Sequence, residues 1–513
     1  MAYTRTMNGK VPQVLQELHF DETPTPGSLN PVTSGGVAEA TKSIPESASE
    51  SNPLMTAADT ERLIDAMKPI DAMTLRFEFS KKDYSPVVAG VGSAGTWTKV
   101  DSPTLNIWDW TNSNVNWATA FGGGGTDIPG AFNDANNIVR VIAAGDTSSV
   151  TNFSRLFQNC RAIKSICPLD TSGANDLSLM FSHCEIAERL PNLDLTNATD
   201  VRAIFQSCLM LRRAPELTMP STPLSFQNIF YDCESLEEIT IDFDNKVTIL
   251  GAAFYNCCKL KKASIKNTTG CTNVQNLFYH CYELEEVSLF DTSSVTNFSS
   301  MFIQCNKLKN IPYYDTSSGT KFNQTFRDCH SIKSIPLLNT SNGTEFSHFA
   351  HRCYNLEEFP PIDTSKATRV DRIASCCPKL TSFPLIDTSN AVEMNEMLTG
   401  LNGYLEEDIP MHIKEIPAFD YSSAENLTAA FGYMVDVETI PAIDAPKATN
   451  VSHIFKSCVN AKNGIKEQYD RFVSMATPPA THNDAFKDCG RDTPKGQIAL
   501  SQIPASWGGL AEG

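Results

Sequence analysis

The sequence predicts an α/β solenoid of roughly ten to fourteen repeats, each 24 residues long. Ten cysteines recur with differences of 24 or, once, 25 residues. Most of them follow a phenylalanine by three positions. A fixed period of this length indicates stacked units that bury their cores only against their neighbours. The columns are Cys160, Cys184, Cys208, Cys233, Cys257, Cys281, Cys305, Cys329, Cys353 and Cys377, with Phe157, Phe181, Phe205, Phe230, Phe254, Phe278, Phe302 and Phe326.

Residues 284–305 show the coil that we expect. Leu284, Val287 and Leu289 are spaced as the inward apolar positions of a strand. The short polar side chains of residues 291–293 bond to the local backbone and favour a turn. Apolar side chains then recur at intervals of three and four, which predicts a short helix: Val295, Phe298, Met301, Phe302 and Cys305. Each coil should therefore contain one parallel strand and one short helix.

Residues 146–153 and 291–305 resemble the BspA-like branch of the leucine-rich repeats, whose signature is D-T-S-x-V-T-N-hydrophobic-x-x-M-F-x-x-C. Residues 315–317, 363–365 and 387–389 match part of it. The resemblance implies a leucine-rich-repeat solenoid over residues 141–490, and we expect the tail at 491–513 to form a C-terminal cap on the last coil. Insertions near 401–413 and 460–480 interrupt the array; each could be a binding edge or a neutral surface loop.

The cysteine column has two readings. The first is structural: each thiol is a small apolar filler stacked on the next coil's cysteine. The second is disulfide or metal chemistry. Neighbouring helices lie about 8–10 Å apart, too far for a disulfide, which needs Cα atoms within about 7 Å. No C-x-x-C pair is present to begin a zinc site. We therefore favour the structural reading and expect no metal or cofactor.

Charged residues recur at the start of the strands, and their sign alternates between most neighbouring coils: Arg212-Arg213, Glu237-Glu238, Lys261-Lys262, Glu285-Glu286, Lys309, Lys333 and Glu357-Glu358. In a parallel sheet these side chains stand beside each other, about 4.8 Å apart. They could form a charge ladder that fixes the register and keeps the sheet soluble, or a ligand-binding stripe. The ladder is the simpler reading, because alternating signs cancel as a steering field.

The region before the repeats divides into three parts. Residues 1–53 are rich in Pro, Ser, Thr, Gly and Glu, which is typical of an extended arm or linker. Residues 54–72 contain a short helix that could trimerise or pack on the repeats. Residues 73–140 alternate as strands and should form a β-rich cap, in which the tryptophans pack or, as the alternative, offer a sugar platform.

A segment of the arm, residues 23–40, resembles a sequence found in phage tail fibres and other virion appendages. The resemblance rests on Pro26, Gly27, Asn30, Pro31, Val32, Thr33, Ser34, Gly35 and Gly36. It implies an N-terminal part that attaches a fibre to the virion through other virion proteins, usually as a homotrimer.

Several classes of function are disfavoured. The net charge of −18 argues against binding to nucleic acid or to anionic lipid, and no apolar run is long enough to span a bilayer. Residues 90–95 match G-x-G-x-x-G, but strand sequence follows where a dinucleotide site needs a helix. We find no nucleophile or metalloprotease motif, and so expect no enzyme.

We therefore expect a phage virion structural protein, a head or tail fibre that binds a host surface protein or glycan or decorates the particle. A bacterial BspA-like surface adhesin is the first alternative. It predicts export, whereas residues 1–10 show no apolar signal core, so we expect no leader. A glycan-depolymerising appendage is the second alternative, and it needs a carboxylate pair in a cleft.

Overall fold

The chain forms a β-solenoid with 24-residue spacing. A computed structural model describes residues 74–81, 84–87, 96–100, 105–111, 132–148, 150–400 and 408–511. The expected arm at 1–53, the expected helix at 54–72 and the glycine motif at 90–95 lie outside the described residues. Isolated parallel bridges that join residues one coil apart run from Asn152 to Thr481. The stacked coils therefore continue across the insertion that begins near residue 401.

A five-stranded sheet covers the first coil. Its order is β2-β3-β1-β4-β5, with β1 at Thr74–Phe79, β2 at Thr96–Val100, β3 at Asn106–Thr111, β4 at Ile138–Ala144 and β5 at Ser165–Ile166. The first four strands pair antiparallel, whereas β4 and β5 are parallel. The Phe77 and Trp110 rings pack on Phe132 at centroid distances of 4.6 and 5.3 Å. This aromatic cluster shields the end of the core, as the packing reading of the tryptophans expects for Trp110.

The remaining strands are short and parallel to their partners. They are β6 (Leu193–Asp194), β7 (Leu217–Thr218), β8 (Leu224–Ser225), β9 (Glu238–Asp242), β10 (Val247–Ile249), β11 (Lys262–Lys266) and β12 (Glu286–Val287). Later coils carry a proline at this place, at Pro312, Pro336, Pro360 and Pro384. Because proline has no N–H to donate, the strand contracts there to isolated bridges such as Ser334 to Glu358.

The prediction of a helix in each coil is not confirmed. In the described coil that begins at Phe298, every second residue up to Gln304 donates its N–H to a carbonyl of the next coil, at 2.8–3.0 Å. Ser300 and Gln304 both have a φ of 59°. A right-handed helix cannot continue through a left-handed residue at every fourth position, and its N–H groups would have to bond within the coil. The segment is therefore a series of turns that pairs with its neighbours like a ladder.

The core consists of aromatic columns along the solenoid axis. Phe132 to Phe326 form one such column, with neighbouring ring centroids 5.1–6.0 Å apart and ring planes within 15°. A second column joins Phe298, Phe322 and Phe346 at 5.4 and 5.3 Å. Each ring packs against the rings of the preceding and the following coil, so every interior coil depends on two neighbours for its packing.

Helices occur at the C-terminal end: α1 at Ile465–Val473, α2 at Pro494–Leu500 and a 3-10 turn at Ala505–Trp507. The α1 helix lies in the insertion expected near residues 460–480. The Phe472 and Trp507 rings stack at 6.1 Å, and Trp507 lies 6.4 Å from Phe486 of the last coil. These side chains cover the open end of the core. None of the helices in the described part of the chain is long and apolar enough to cross a membrane.

Candidate binding surface

The corner after each strand determines which side chains face outward. The Asp291 carboxylate accepts hydrogen bonds from the N–H and hydroxyl of Ser293, at 2.9 and 2.7 Å. The buried Thr292 hydroxyl donates to the Asp315 carbonyl of the next coil, at 2.7 Å. Phe290 is also buried. Because neighbours in an extended segment point to opposite sides, Leu289 and Asp291 point outward.

The same corner recurs along the solenoid and links the coils to each other. The following buried threonines each donate to a backbone carbonyl of the next coil: Thr147, Thr171, Thr268, Thr292, Thr316, Thr340, Thr364 and Thr388. Each residue of the Asp-Thr-Ser motif thus has a separate structural role. Its aspartate shapes the turn, its threonine bonds to the next coil, and its serine holds the aspartate.

The predicted placement of Leu289 in the core was wrong. Its side chain is 64% exposed, and Phe290 takes the inward position. Four further outward residues follow at intervals of 24, and together they form what we call the apolar line: Leu289, Tyr313, Leu337, Pro361 and Leu385. Tyr313 is 65% exposed, Leu337 56% and Leu385 64%. Large apolar side chains stacked in register on an outer face, rather than scattered singly, are typical of an interaction site.

An acidic border runs along one side of the apolar line. It consists of the exposed side chains two positions after the line: Asp291, Asp315, Asn339, Asp363 and Asp387. Hydrogen bonds from the serine two residues later lower the pKa of Asp291, Asp315 and Asp363. These carboxylates are therefore ionised at neutral pH. No ion pair between described residues involves an aspartate of this border, although the nearby charge of Lys366 contributes to the lowered pKa of Asp363.

A mixed border of both signs runs along the other side. The register places Lys262 between Glu238 and Glu286, as the charge-ladder reading requires. Its Nζ lies 2.7 Å from Glu286, and Lys333 Nζ lies 3.1 Å from Glu357. On the coils of the apolar line this border carries four glutamates and two lysines: Glu285, Glu286, Lys309, Lys333, Glu357 and Glu358. It is therefore less negative than the acidic border, which has four aspartates and no basic residue.

An open cleft of about 490 Å³ lies at the first end of the apolar line. Leu289 and Tyr313 form its apolar wall, and Lys266, Asp291 and Asp315 form part of its polar rim. An apolar wall with convergent charged groups is suited to hold one side chain of a bound partner.

The Phe and Cys columns lie inside the solenoid rather than on a site. All of the predicted column residues from Phe157 to Cys329 are buried, and none of the sixteen cysteines, all of which the structure describes, forms a disulfide bond. The Cys305 thiol donates to the Phe278 carbonyl at 3.2 Å, and the same contact to the preceding coil recurs along the column at 2.9–3.4 Å. Burial raises the pKa of Cys160 and Cys208 to about 12. The thiols of Cys160 and Cys208 are thus protonated and inaccessible, as the structural reading expects.

A buried polar cluster lies in the turn segments of the later coils. His351 Nδ1 lies 2.6 Å from the Ser375 hydroxyl, and His348 Nε2 lies 3.0 Å from an Arg372 nitrogen. Burial, with nearby charges, lowers the pKa of His348 to about 4 and that of His351 to about 2. A serine beside a neutral histidine can act as a nucleophile, but both side chains are buried. No substrate carbonyl could reach this pair without opening the coil.

A metal-binding group is absent from the described residues: no three His, Cys, Asp or Glu side chains there are arranged to hold an ion. The residues predicted to attach the chain to a virion lie outside the described part of the chain: Pro26, Gly27, Asn30, Pro31, Val32, Thr33, Ser34, Gly35 and Gly36. Residues 401–407 of the first insertion also lie outside it, so its role as a binding edge stays a prediction.

Comparison with known proteins identifies the repeats. A family model described as "Mycoplasma protein of unknown function, DUF285" matches residues 126–243, 248–360 and 272–409, more than half of the chain. The chain belongs to the DUF285 family. This match and the solenoid together fit a BspA-like repeat protein. No curated protein matches the chain.

The apolar line lies entirely within the DUF285 match, since it ends at Leu385. The sequence contained a signal for it: a large apolar or proline residue stands two positions before every Asp-Thr-Ser or Asn-Thr-Ser corner except the first, where Ala144 has that place. The signal was not recognised because the leucine-rich pattern assigned Leu289 to the core and left Phe290 unassigned.

Proposed function

We propose that the chain is a non-enzymatic binding protein that recognises a partner through the apolar line and its acidic border. The observation that carries this proposal is the register of five outward apolar residues on consecutive coils. A rigid stack of coils holds these side chains in fixed positions, so little conformational entropy is lost when a partner binds. Such a scaffold is suited to recognition by contact rather than to chemistry.

The resemblance of residues 26–36 to virion appendages extends the proposal. We propose a head or tail fibre in which the arm binds other virion proteins, a homotrimer forms, and the solenoid presents its outer face to a host surface protein or glycan. A bacterial surface adhesin is the second candidate. The observation that favours it is the BspA-like repeat, which the family match and the 24-residue coils both support.

The binding proposal is tested with the full-length chain, labelled and applied to intact cells of the bacterium with which it is associated. The variant Leu289→Ser/Leu337→Ser/Leu385→Ser removes most of the apolar line. We expect it to lose at least tenfold in cell binding, whereas Ile498→Ser, which changes a residue of α2 that is 61% exposed, should bind as the natural chain does. Equal binding by the triple variant would exclude the apolar line as the recognition surface.

The virion proposal is tested by electron cryomicroscopy of particles from the same source. Density for the chain on a capsid or tail, with three copies joined at their N-terminal parts, would support the fibre. Recovery of the chain only from a bacterial cell envelope, with no particle present, would favour the adhesin.

A further inference from the structure

The outer face of coils 285–387 also indicates the kind of partner that it fits. We propose that the apolar line and its acidic border bind an amphipathic α-helix whose apolar stripe is flanked on one side by lysine or arginine. This inference rests on the proposed binding function and specifies the partner's chemistry. The spacing of the apolar side chains and the asymmetry of the surface charge both favour such a helix.

The spacing favours a helix. Neighbouring coils are about 4.8 Å apart, so the four intervals of the apolar line span about 19 Å. Successive turns of a helix rise about 5.4 Å, and four turns span about 22 Å. Same-side residues of an extended strand are about 6.7 Å apart, and four such steps span about 27 Å. A helix therefore stays nearly in step with the apolar line over its whole length, whereas a strand drifts by more than one coil.

The charge favours a partner that is basic on one flank. Asp291, Asp315, Asp363 and Asp387 lie on the same side of the apolar line, and no ion pair between described residues balances them. On the other side, lysines stand among the glutamates, and Lys262 pairs with Glu286 and Lys333 with Glu357, so a basic flank of the partner would meet less negative charge there. A helix with lysines along only one edge of its apolar stripe would place them against the carboxylates.

Two other occupants fit less well. A second copy of the chain would bring its own acidic border and a net charge of −18 to the same face, and like charges would repel. An anionic lipid surface would meet the same repulsion from the acidic border. A basic helix from another protein has neither disadvantage.

The probe is a synthetic helical peptide of about 14 residues, which covers about 21 Å, with leucines along one stripe and lysines on one flank. Its binding to the full-length chain is measured by fluorescence anisotropy at low and high salt. One control peptide has the same composition with the leucine stripe scrambled. A second control has glutamate in place of each lysine. We expect binding by the first peptide alone, weakened by salt because exposed charges are screened.

Paired variants separate the two parts of the surface. Tyr313→Ser/Leu337→Ser should weaken peptide binding at least tenfold at all salt concentrations. Asp315→Asn/Asp363→Asn should weaken it at low salt and reduce the salt dependence. Asparagine is tolerated at this corner, because Asn339 already accepts a hydrogen bond from Ser341 there. Ile498→Ser should have no effect, and unchanged melting temperatures would confirm that all variants fold.

The outcomes distinguish this inference from the binding function. If the apolar variants lose cell binding but the natural chain does not bind the peptide, the binding function stands and the helical partner is wrong. The inference is also overturned if the scrambled peptide binds equally or the asparagine variant binds with unchanged salt dependence. A dimer in sedimentation that Leu337→Ser dissociates, or binding to vesicles of anionic phospholipid, would likewise overturn it, because another occupant would then cover the apolar line.

Discussion

The thiol column makes a quantitative prediction at Cys305, which lies in the middle of the solenoid. Replacing Cys305 with alanine removes one buried sulfur atom and its hydrogen bond to the Phe278 carbonyl. The lost apolar contact costs about 0.8 kcal/mol, and the lost hydrogen bond costs about 0.5 kcal/mol. The stacked coils above and below hold the void open, which adds roughly 0.5 kcal/mol. We expect Cys305→Ala to lower the free energy of unfolding by about 2 kcal/mol.

The loss is limited because the Phe278 carbonyl keeps its second donor, the N–H of Cys281, at 3.2 Å. Serine at position 305 should be at least as destabilising as alanine. Its shorter C–O bond leaves the hydroxyl farther from the carbonyl, and a buried hydroxyl without a good partner costs about 1–3 kcal/mol.

The assay is urea unfolding of the full-length chain in a reducing buffer, followed by circular dichroism. Cys258→Ala is the matched control, because this thiol is off the column and only partly buried. Its stability should lie within about 0.5 kcal/mol of the natural chain. A Cys305→Ala variant as stable as that control would refute the packing argument. A serine variant more stable than the alanine variant would show that the hydrogen bond outweighs the apolar contact.

Three further changes test the corner, the second aromatic column and the polar cluster. Thr292→Val keeps the shape but leaves the Asp315 carbonyl without its donor, so we expect a loss of about 1–2 kcal/mol in urea unfolding. Gly319→Ala would bring a methyl group within 2.4 Å of the Phe322 ring, so thermal unfolding should show a loss of about 1–3 kcal/mol. His351 has a folded pKa of about 2, below its unfolded value near 6.5; the stability that its neutral form contributes is complete above pH 6.5 and is lost as the pH falls. The urea midpoint should therefore decrease between pH 7 and pH 5, and His351→Gln should flatten that decrease. An unchanged stability in any of the three would contradict the contact concerned.

The spacing of the cysteines was enough to predict the solenoid and the inward position of the Phe and Cys columns. It could not predict the backbone of the turn segments. Val295, Phe298, Met301 and Phe302 are all buried, as a helical stripe would be. A series of turns with left-handed residues at positions such as Ser300 places the same side chains inward. Periodicity reports which side chains face the core, and two backbones can satisfy the same pattern.

The apolar line was missed for a related reason. The strand pattern specifies alternation, but a shift of one residue exchanges the inward and outward side chains. Whether Leu289 or Phe290 enters the core depends on the corner that follows, where Thr292 bonds to the next coil. This inter-coil contact is tertiary, and the sequence of one repeat does not contain it.

The direction of the backbone hydrogen bonds has a mechanical consequence. In the turn segments, bonds such as Phe302 N–H to the Thr325 carbonyl run along the solenoid axis and join one coil to the next. Tension applied between the two ends therefore loads the bonds between coils in series and should peel them away one coil at a time. Each detached coil of 24 residues would release roughly 80 Å of slack chain. Single-molecule stretching should show repeated steps near that length, whereas one abrupt rupture of the whole array would contradict this serial arrangement.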